Sequence, residues 1–290
     1  MTTATPAGPV EDTGEAPAAG AASLGRRVLR SVLSRWLVFV LLVLVWQLLT
    51  ARIQSPFFPT PLTIVGAAGK MWFSGPAGHL FVSDAFVANV LPSIARMLGG
   101  WLLAVIVGVA IGIGLGRSQV ALDYASPVLN FLRSIPPPTL VPVFLVLLDI
   151  GTMMQLTVIV IGVIWPVLLN TIDGARSVDQ VKVEMVRAFH ISRPQWIFGV
   201  IIPAALPKIF AGLRVSLSMA LIMMVLSELF GSTNGIGFEL QFSQESFDLP
   251  GMWACILLLG VLGYLANRAL LAIEKRALGW HNGARQNAAG

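Results

Sequence analysis

The residues best suited to chemistry in this sequence are concentrated in one stretch, residues 183–214. It holds one acidic residue, one histidine and four basic residues, namely Glu184, Arg187, His190, Arg193, Lys208 and Arg214. The chain has three histidines in separate loops and one cysteine, which together give no metal-ligand spacing, so we predict no metal site. No Gly-x-x-x-x-Gly-Lys-Ser/Thr phosphate loop and no catalytic motif occurs, so we predict no catalytic residue and no ATP hydrolysis by that route.

The composition of the rest of the chain is that of a membrane protein. Of its 290 residues, 56% are hydrophobic and 11% are charged, whereas soluble domains carry roughly 25% charged residues. A membrane-spanning helix needs roughly 20 mainly apolar residues. Six segments qualify: 36–53, 94–116, 128–148, 153–172, 207–230 and 252–273. The predicted fold class is all-α, a polytopic membrane protein with six transmembrane helices.

Two of these segments carry residues that predict helix geometry. The third contains "SIPPPTLVP", and its prolines remove backbone hydrogen bonds, so we expect a kinked or partly unwound span. Such a break survives at membrane depth where neighbouring helices or a water-lined path satisfy the freed carbonyls. The second segment contains Gly108 and Gly112, four residues apart, which is typical of close helix packing.

The distribution of lysine and arginine predicts the orientation of the spans. Basic residues precede the first span and follow the second, fourth and sixth: Arg26, Arg27, Arg30, Arg35, Arg117, Arg176, Lys182, Arg187, Arg193, Lys208, Lys275, Arg276 and Arg285. Both termini are therefore predicted to be cytoplasmic.

Residues 1–25 are rich in Ala, Pro, Gly and Thr, so we expect a disordered tail. The basic residues in the segment 26–35 could orient the first span in the membrane or bind anionic lipid headgroups, and we favour the first role.

Residues 174–206 then form a cytoplasmic loop that is longer than a simple connector. Val181, Met185 or Val186, and Phe189 recur at helical spacing in its first part. After Ser192 we expect a second short helix that ends near Pro203, where "PAALP" turns the chain back into the membrane. The predicted helix–turn–helix presents apolar side chains with a charged rim, which is typical of a docking surface.

This loop resembles the EAA loop of ABC importer permeases. That pattern is Glu-Ala-Ala, three residues, Gly, nine residues, then Ile-x-Leu-Pro. Here Glu184 is in the Glu place, His190 in the Gly place, and "VIIP" ends the pattern at Pro203. Ordered matches over roughly residues 60–280, among them "SPVLNFLRSIPPPTLVPVFLVLLDIG" and "LPKIFAGLRVSLSMALIMMVLSELFGSTNGIG", resemble the nitrate, sulfonate and taurine subfamily. The resemblance implies the type I (MetI-like) permease fold.

The resemblance also implies how the loop works. Its first helix would sit in a groove of a cytoplasmic ATPase and transmit that protein's ATP-driven closure to the spans. The coupling residues are then Glu184, Met185, Val186, Arg187, His190 and Pro203. Glu184 would cap or pair at the contact, and Pro203 would fix the angle of re-entry.

Three residues depart from the pattern: Met185 and Val186 are larger than alanine, and His190 replaces a glycine. If that place needs a positive φ, His190 adopts it at a steric cost. An inactive paralogue working in a heterodimer is the alternative.

The resemblance further implies the partners and division of labour. Two ATPase subunits, a second copy of the permease and an extracytoplasmic solute-binding protein are expected in a cell (inner) membrane, with no nucleic acid. The permease itself would be no enzyme and would bind no cofactor, because ATP and Mg²⁺ are used by the partner. The solute would be a small anion or organic solute such as nitrate, a sulfonate or taurine.

Candidate residues for the translocation pathway are polar, ionisable or helix-breaking ones within the spans, because such residues are costly in lipid. They are Arg133, Pro136, Pro137, Asn170, Ser216 and Glu228. Alternatives are a structural role for Arg133 and an interfacial place for Glu228.

The predicted organisation is a tail (1–25), a first span with an outer loop (26–85), a permease core (86–280) with the coupling loop 174–206, and a C-terminal tail (281–290).

Two other classes of protein compete with this interpretation. A secondary transporter or channel predicts inverted repeats, paired broken helices and buried acids. A membrane-embedded enzyme requires a His/Asp/Glu constellation within the spans. The sequence shows one strongly broken span, no repeat, and no histidine within a span, and it therefore favours the ATPase-driven importer.

Overall fold

The computed structural model describes residues 19–76, 78 and 81–279, with side chains described from Trp36 onward except at positions 180 and 187. The chain divides after Ser55 into two units. The first contains α1 (Ala19–Ile53), whose apolar portion Trp36–Ile53 is long enough to cross a membrane. Most of the large apolar side chains of this portion are exposed, which suits a helix surrounded by lipid or by another subunit.

The second unit consists of helices in every regular element that the structure describes. In chain order these are α2 (Pro61–Trp72), α3 (Leu91–Gly116), α4 (Gln119–Ser134), α5 (Val141–Leu148), α6 (Thr152–Arg176), α7 (Gln180–Ala188), α8 (Arg193–Trp196), α9 (Ile202–Gly231), α10 (Ile236–Glu245) and α11 (Leu249–Ala277). Short π-helical turns precede α3 (Phe86–Val90) and α9 (Ile197–Ile201), and a 3₁₀ turn (Pro137–Leu140) precedes α5.

The predicted spans are confirmed in number, with one qualification. Among the described residues, five helices are long and apolar enough to cross a membrane, and a sixth span exists if α4 and the helix after it count as one. Those two parts, Gln119–Ser134 and Pro137–Leu148, are bent by 79°. The break therefore lies at "SIPP", as the proline run predicts, but its helix begins at Gln119, earlier than position 128.

Small residues allow α3 and α6 to pack closely. A Cβ added at Gly100, Gly108 or Gly112 would lie 2.6–3.0 Å from side-chain atoms of Ile159, Val167 and Thr171. These three contacts share a constant offset of 59 residues, so the two helices run parallel and in register. The predicted packing role of Gly108 and Gly112 is confirmed, since a larger side chain would force the helices apart.

The helix α9 packs against α6 in the opposite direction. Gly174 near the end of α6 contacts Ala205 near the start of α9, and Gly162 contacts Met223. The core lies between α3, α6 and α9 and includes Val158, Val163 and Leu217. A second cluster joins Trp72 of α2, Val90, Ile236 of α10 and the lone Cys255 of α11, so Cys255 is a packing residue.

The predicted turn at "PAALP" is wrong. The helix runs without interruption from Arg193 to Gly231, with Pro203 and Pro207 inside it. Pro203 follows the π-helical turn Ile197–Ile201, where the wider hydrogen-bond pattern accommodates a residue that has no N–H. Pro207 is tolerated because its flanking residues Ala205 and Ile209 are buried in the core, which outweighs one lost backbone bond.

Candidate functional site

The helix α7 exposes the apolar stripe that the sequence predicts. Val181, Met185 and Phe189 are 60%, 52% and 73% exposed, and we call these three residues the α7 face. Glu184 and Lys182 beside them are also exposed, and the side chain of Arg187 lies outside the described residues. Exposed large apolar groups that are flanked by charges are typical of a surface that a partner covers.

Two cavities lie between α7 and the neighbouring helices, and Met185 and Phe189 of the α7 face line one of them. Val186 lines both of them. One, of about 380 Å³, extends along Met185 and Phe189 to Val200 and Pro203 at the start of α9. Pro203 is therefore close to α7 even though it makes no turn. The other cavity, of about 420 Å³, extends toward Arg117 and Trp196.

His190 ends α7 in the left-handed backbone conformation. Its φ is 49°, and the N–H of Ile191 donates to the carbonyl of Val186 (3.1 Å) to close the helix end. This is the position at which glycine is ordinarily favoured, so the glycine place of the loop pattern does require a positive φ here. The chain then enters the next helix at Ser192, whose N–H and hydroxyl both donate to Gln195 Oε1 (3.3 and 2.8 Å).

The pathway candidates at the broken span are accessible. Arg133 lies in the last turn of α4 with an exposed side chain, and Pro136 is exposed at the bend. Pro137 begins the 3₁₀ turn, and the hydroxyl of Thr139 donates to the Pro136 carbonyl (2.7 Å). The break thus places an arginine and irregular backbone on a surface of the subunit, where a second chain or a solute can reach them.

The other three candidates are engaged in polar contacts within the subunit. Asn170 donates to the Pro166 carbonyl (2.8 Å). Ser216 is buried, accepts from Trp101 Nε1 (2.8 Å) and donates to the Leu213 carbonyl (3.0 Å). Asn170 and Ser216 thus bond within and between helices of one subunit.

Glu228 is 1% exposed and forms the centre of a buried polar cluster. Its carboxylate accepts from Arg96 Nη1 (2.9 Å), from the Ser93 hydroxyl (2.8 Å) and from the backbone N–H of Gly237 (3.0 Å). Arg96 also donates to the carbonyl and side-chain oxygens of Asn234. The cluster therefore fixes the turn after α9 and the start of α10 against α3.

Arg96 is not among the candidates selected from the sequence. A signal was present, because an arginine inside an apolar helix needs a partner and Glu228 is the one acidic residue of the fifth span. The same cluster reaches α10, where Asn89 Nδ2 donates to Glu239 Oε2 (3.0 Å). Burial raises the pKa of the Glu239 carboxyl.

Charge separates the two ends of the second unit. The end that carries α7 holds more basic than acidic residues: the bases are Arg117, Arg176, Lys182, Arg193, Lys208, Arg214, Lys275 and Arg276, and the acids are Asp123, Asp173, Asp179, Glu184 and Glu274. The opposite end, with α2 and α10, holds Lys70 and the buried Arg96, together with the acids Asp84, Glu239, Glu245 and Asp248.

This architecture can be compared with proteins of known family. The model of the binding-protein-dependent transport system inner membrane component matches residues 103–279. The chain belongs to this family. The match includes the broken span, α7 and the helix that follows it.

Relatives with related functions align over most of this permease. The taurine transport system permease protein TauC of Escherichia coli (strain K12) is 28% identical over 83% of the chain and 87% of TauC. A Bacillus subtilis (strain 168) protein described as an aliphatic sulfonates transport permease, SsuC, is 31% identical over 83% of the chain and 85% of SsuC. The nitrate import permease protein NrtB of Synechocystis sp. (strain ATCC 27184 / PCC 6803 / Kazusa) is 28% identical over 80% of the chain and 84% of NrtB.

A solved structure supports the fold. A chain in an inward-facing crystal structure of the MetNI methionine ABC transporter superposes with a TM-score of 0.59 at 19% identity, covering 68% of this permease and 99% of that chain. The all-α, MetI-like permease fold expected from the sequence is confirmed, as is the resemblance to the nitrate, sulfonate and taurine permeases.

Proposed function

We propose that this permease forms half of the membrane pathway of an ATP-driven importer and that α7 is its coupling helix. The observation that carries the proposal is the exposed α7 face, Val181, Met185 and Phe189, on a short helix between two spans. An apolar stripe of this kind, rimmed by Glu184 and Lys182, fits a groove in a partner protein.

The energy for transport comes from that partner. The sequence contains no phosphate loop, so ATP and Mg²⁺ are bound by a separate ATPase subunit. The permease itself acts without a cofactor and catalyses no reaction. Two ATPase subunits serve two permease chains, because each chain contributes one α7.

Movement of α7 reaches the spans through short, well-packed connections. Ser177 caps α6 through the carbonyls of Asp173 and Gly174, and Gly174 packs against Ala205 at the start of α9. Lys208 Nζ donates to the Asp173 carbonyl (3.0 Å) across the same junction. A push on α7 is therefore transmitted to α6 and α9 together, as in rigid-body switching.

The remaining partners follow from the surfaces that the bundle leaves open. A second copy of this chain completes the pathway by twofold assembly, the usual arrangement of soluble oligomers. An extracytoplasmic binding protein delivers the solute at the end that carries α2 and α10. The basic residues at the α7 end support the assignment of that end, and of both termini, to the cytoplasm of a multi-pass inner-membrane protein.

The solute is a small anion or organic acid of the nitrate, sulfonate or taurine type. The relatives' names support this class, and the exposed Arg133 beside Pro136 and Pro137 supplies a cation at the broken span. Ser216 and Glu228 act by holding α9 against α3, and Asn170 bonds within α6.

Copurification tests the proposal against a self-sufficient carrier. The tagged permease is extracted from its native membrane in mild detergent, and the copurifying proteins are identified. A stoichiometric nucleotide-binding subunit is expected, together with uptake that stops when cellular ATP is depleted. Recovery of the permease without such a subunit, with uptake that persists after ATP depletion, would assign the chain to the secondary carriers.

A further inference from the structure

The cavity between α7 and the ends of α3 and α8 is lined by an unusual group of side chains. Arg117, His190, Arg193 and Trp196 surround a volume of about 420 Å³, and aliphatic residues of α7 complete the wall. Among the residues that the structure describes, no aspartate or glutamate lines this cavity. The polar side chains that line it are two arginines, one histidine and the indole of Trp196.

Arg117 is fixed in place by contacts that leave donor capacity free. Its Nη1 donates to the Ala175 carbonyl (3.4 Å), and its Cζ lies 5.3 Å from the centre of the Trp196 ring. Its Nε is buried and has no hydrogen-bond partner among the residues that the structure describes. A buried N–H without a partner is uncommon, and an ordered water or a ligand group would satisfy it.

The charge in this cavity is also unbalanced. In the described part of the chain, the ion pairs are Arg96 with Glu228 and Arg214 with Glu274, so neither Arg117 nor Arg193 is neutralised. Guanidinium groups bind tetrahedral oxyanions through charge-assisted and often paired hydrogen bonds. The cavity volume exceeds what a single oxyanion needs, which leaves space for the group to which the oxyanion is attached.

We infer that this cavity binds a phosphate-type oxyanion, held by Arg117, His190 and Arg193. The oxyanion is a free ion or the headgroup of an anionic phospholipid. Because His190 lies at the end of α7 while Arg117 and Arg193 begin or follow other helices, the bound anion ties α7 to the bundle. The site requires neither ATP nor the ATPase, so it goes beyond the coupling role proposed above.

Binding of inorganic phosphate tests this inference directly. The full-length permease with its copurifying subunits is placed in nanodiscs of phosphatidylcholine. Sodium phosphate is titrated against sodium chloride at equal ionic strength, with tryptophan fluorescence and the midpoint of thermal unfolding as readouts. We expect a saturable phosphate response that chloride does not produce, and affinity at least about tenfold weaker in Arg193→Gln, which corresponds to about 1.4 kcal/mol.

Controls separate this site from general electrostatics. Arg276→Gln removes an exposed cation at the same end of the molecule and should leave phosphate affinity unchanged. Arg117→Gln should weaken binding as Arg193→Gln does, and if Arg117→Gln fails to fold, the exposed Arg193 decides the outcome.

A second arm replaces one fifth of the lipid by phosphatidylglycerol and measures retained lipid by native mass spectrometry. Retention that falls in Arg193→Gln assigns the oxyanion to a lipid headgroup.

The inference is overturned if neither phosphate nor phosphatidylglycerol binds, or if both bind equally well to Arg193→Gln and Arg276→Gln. It is also overturned if phosphate binds the permease alone but not the complex, since an acidic group of the ATPase would then fill the cavity. A failure of either kind leaves the coupling role of the α7 face standing, because that role is measured by ATPase contact and by uptake.

Discussion

Arg96 Nη1 lies 2.9 Å from Glu228 Oε1, and this ion pair joins the first turns of α3 to the last turns of α9. Both side chains are withdrawn from solvent, and the carboxylate also accepts from Ser93 and from the Gly237 backbone. A buried charge pair is tolerated where additional hydrogen bonds satisfy it. The pair therefore fixes the end of the bundle opposite α7 and holds α10 in place.

Removing one member of this pair should be strongly destabilising. Arg96→Met leaves the Glu228 carboxylate buried without its cation, and we expect the free energy of unfolding to fall by about 3–5 kcal/mol. Denaturation in mixed detergent micelles measures this change. The double variant Arg96→Met/Glu228→Gln should recover part of the loss, because it removes the unpaired charge.

The pair of Arg214 and Glu274 provides the matched control. Its atoms are 3.6 Å apart, and the side chains of Arg214 and Glu274 are 44% and 16% exposed, so Arg214→Met should cost less than Arg96→Met because water reaches the pair. Equal losses for Arg96→Met and Arg214→Met would show that the buried cluster does not hold the outer end of the bundle.

The glycines of α3 make a second prediction. Gly112→Val places a Cβ 2.6 Å from the Cβ of Thr171, whereas a Cβ at Gly114 meets nothing within 4 Å. Both substitutions change helix propensity by the same amount, so the difference reports packing. We expect Gly112→Val to be less stable than Gly114→Val by about 1–3 kcal/mol. Equal unfolding free energies would contradict the close approach of α3 and α6.

His190 makes a third prediction through its backbone. Because its φ is 49°, His190→Gly should relieve strain and raise the free energy of unfolding by about 1 kcal/mol. Ala188→Gly, two residues earlier within α7, should lower it by about 0.5–1 kcal/mol. Thermal unfolding of both variants checks the opposite signs, and a loss of stability in His190→Gly would refute the assigned strain.

The sequence predicts the parts of this molecule that depend on local pattern. Apolar length gives the spans, the proline run gives the break before Pro137, and the four-residue spacing of Gly108 and Gly112 gives the α3–α6 contact. Pro203 misled the prediction, because a π-helical turn and core packing on both sides let the helix continue through it. The Arg96–Glu228 pair is separated by 132 residues, and no local pattern specifies such a distant partner.

Glu184 provides the functional prediction. Glu184→Lys reverses the charge at the rim of the α7 face while leaving the spans unchanged, since Glu184 is exposed. We expect assembly to persist and uptake per ATP hydrolysed to fall at least tenfold in proteoliposomes supplied with the binding protein and its solute. Lys275→Glu, an exposed charge reversal in the last turn of α11, should leave this ratio unchanged if only α7 couples. Full uptake by Glu184→Lys would remove Glu184 from the coupling contact.

Contact between α7 and an ATPase is the central claim, and site-directed labelling tests it most directly. With Cys255 replaced by alanine, single cysteines are introduced by Met185→Cys on the α7 face and by Phe247→Cys beyond α10, both at exposed positions. In intact cells a membrane-impermeant maleimide should label position 247 and not position 185. A photo-crosslinker attached at position 185 should then join the permease to a nucleotide-binding subunit. Labelling of position 185 from outside, or crosslinks that contain no nucleotide-binding protein, would contradict the account.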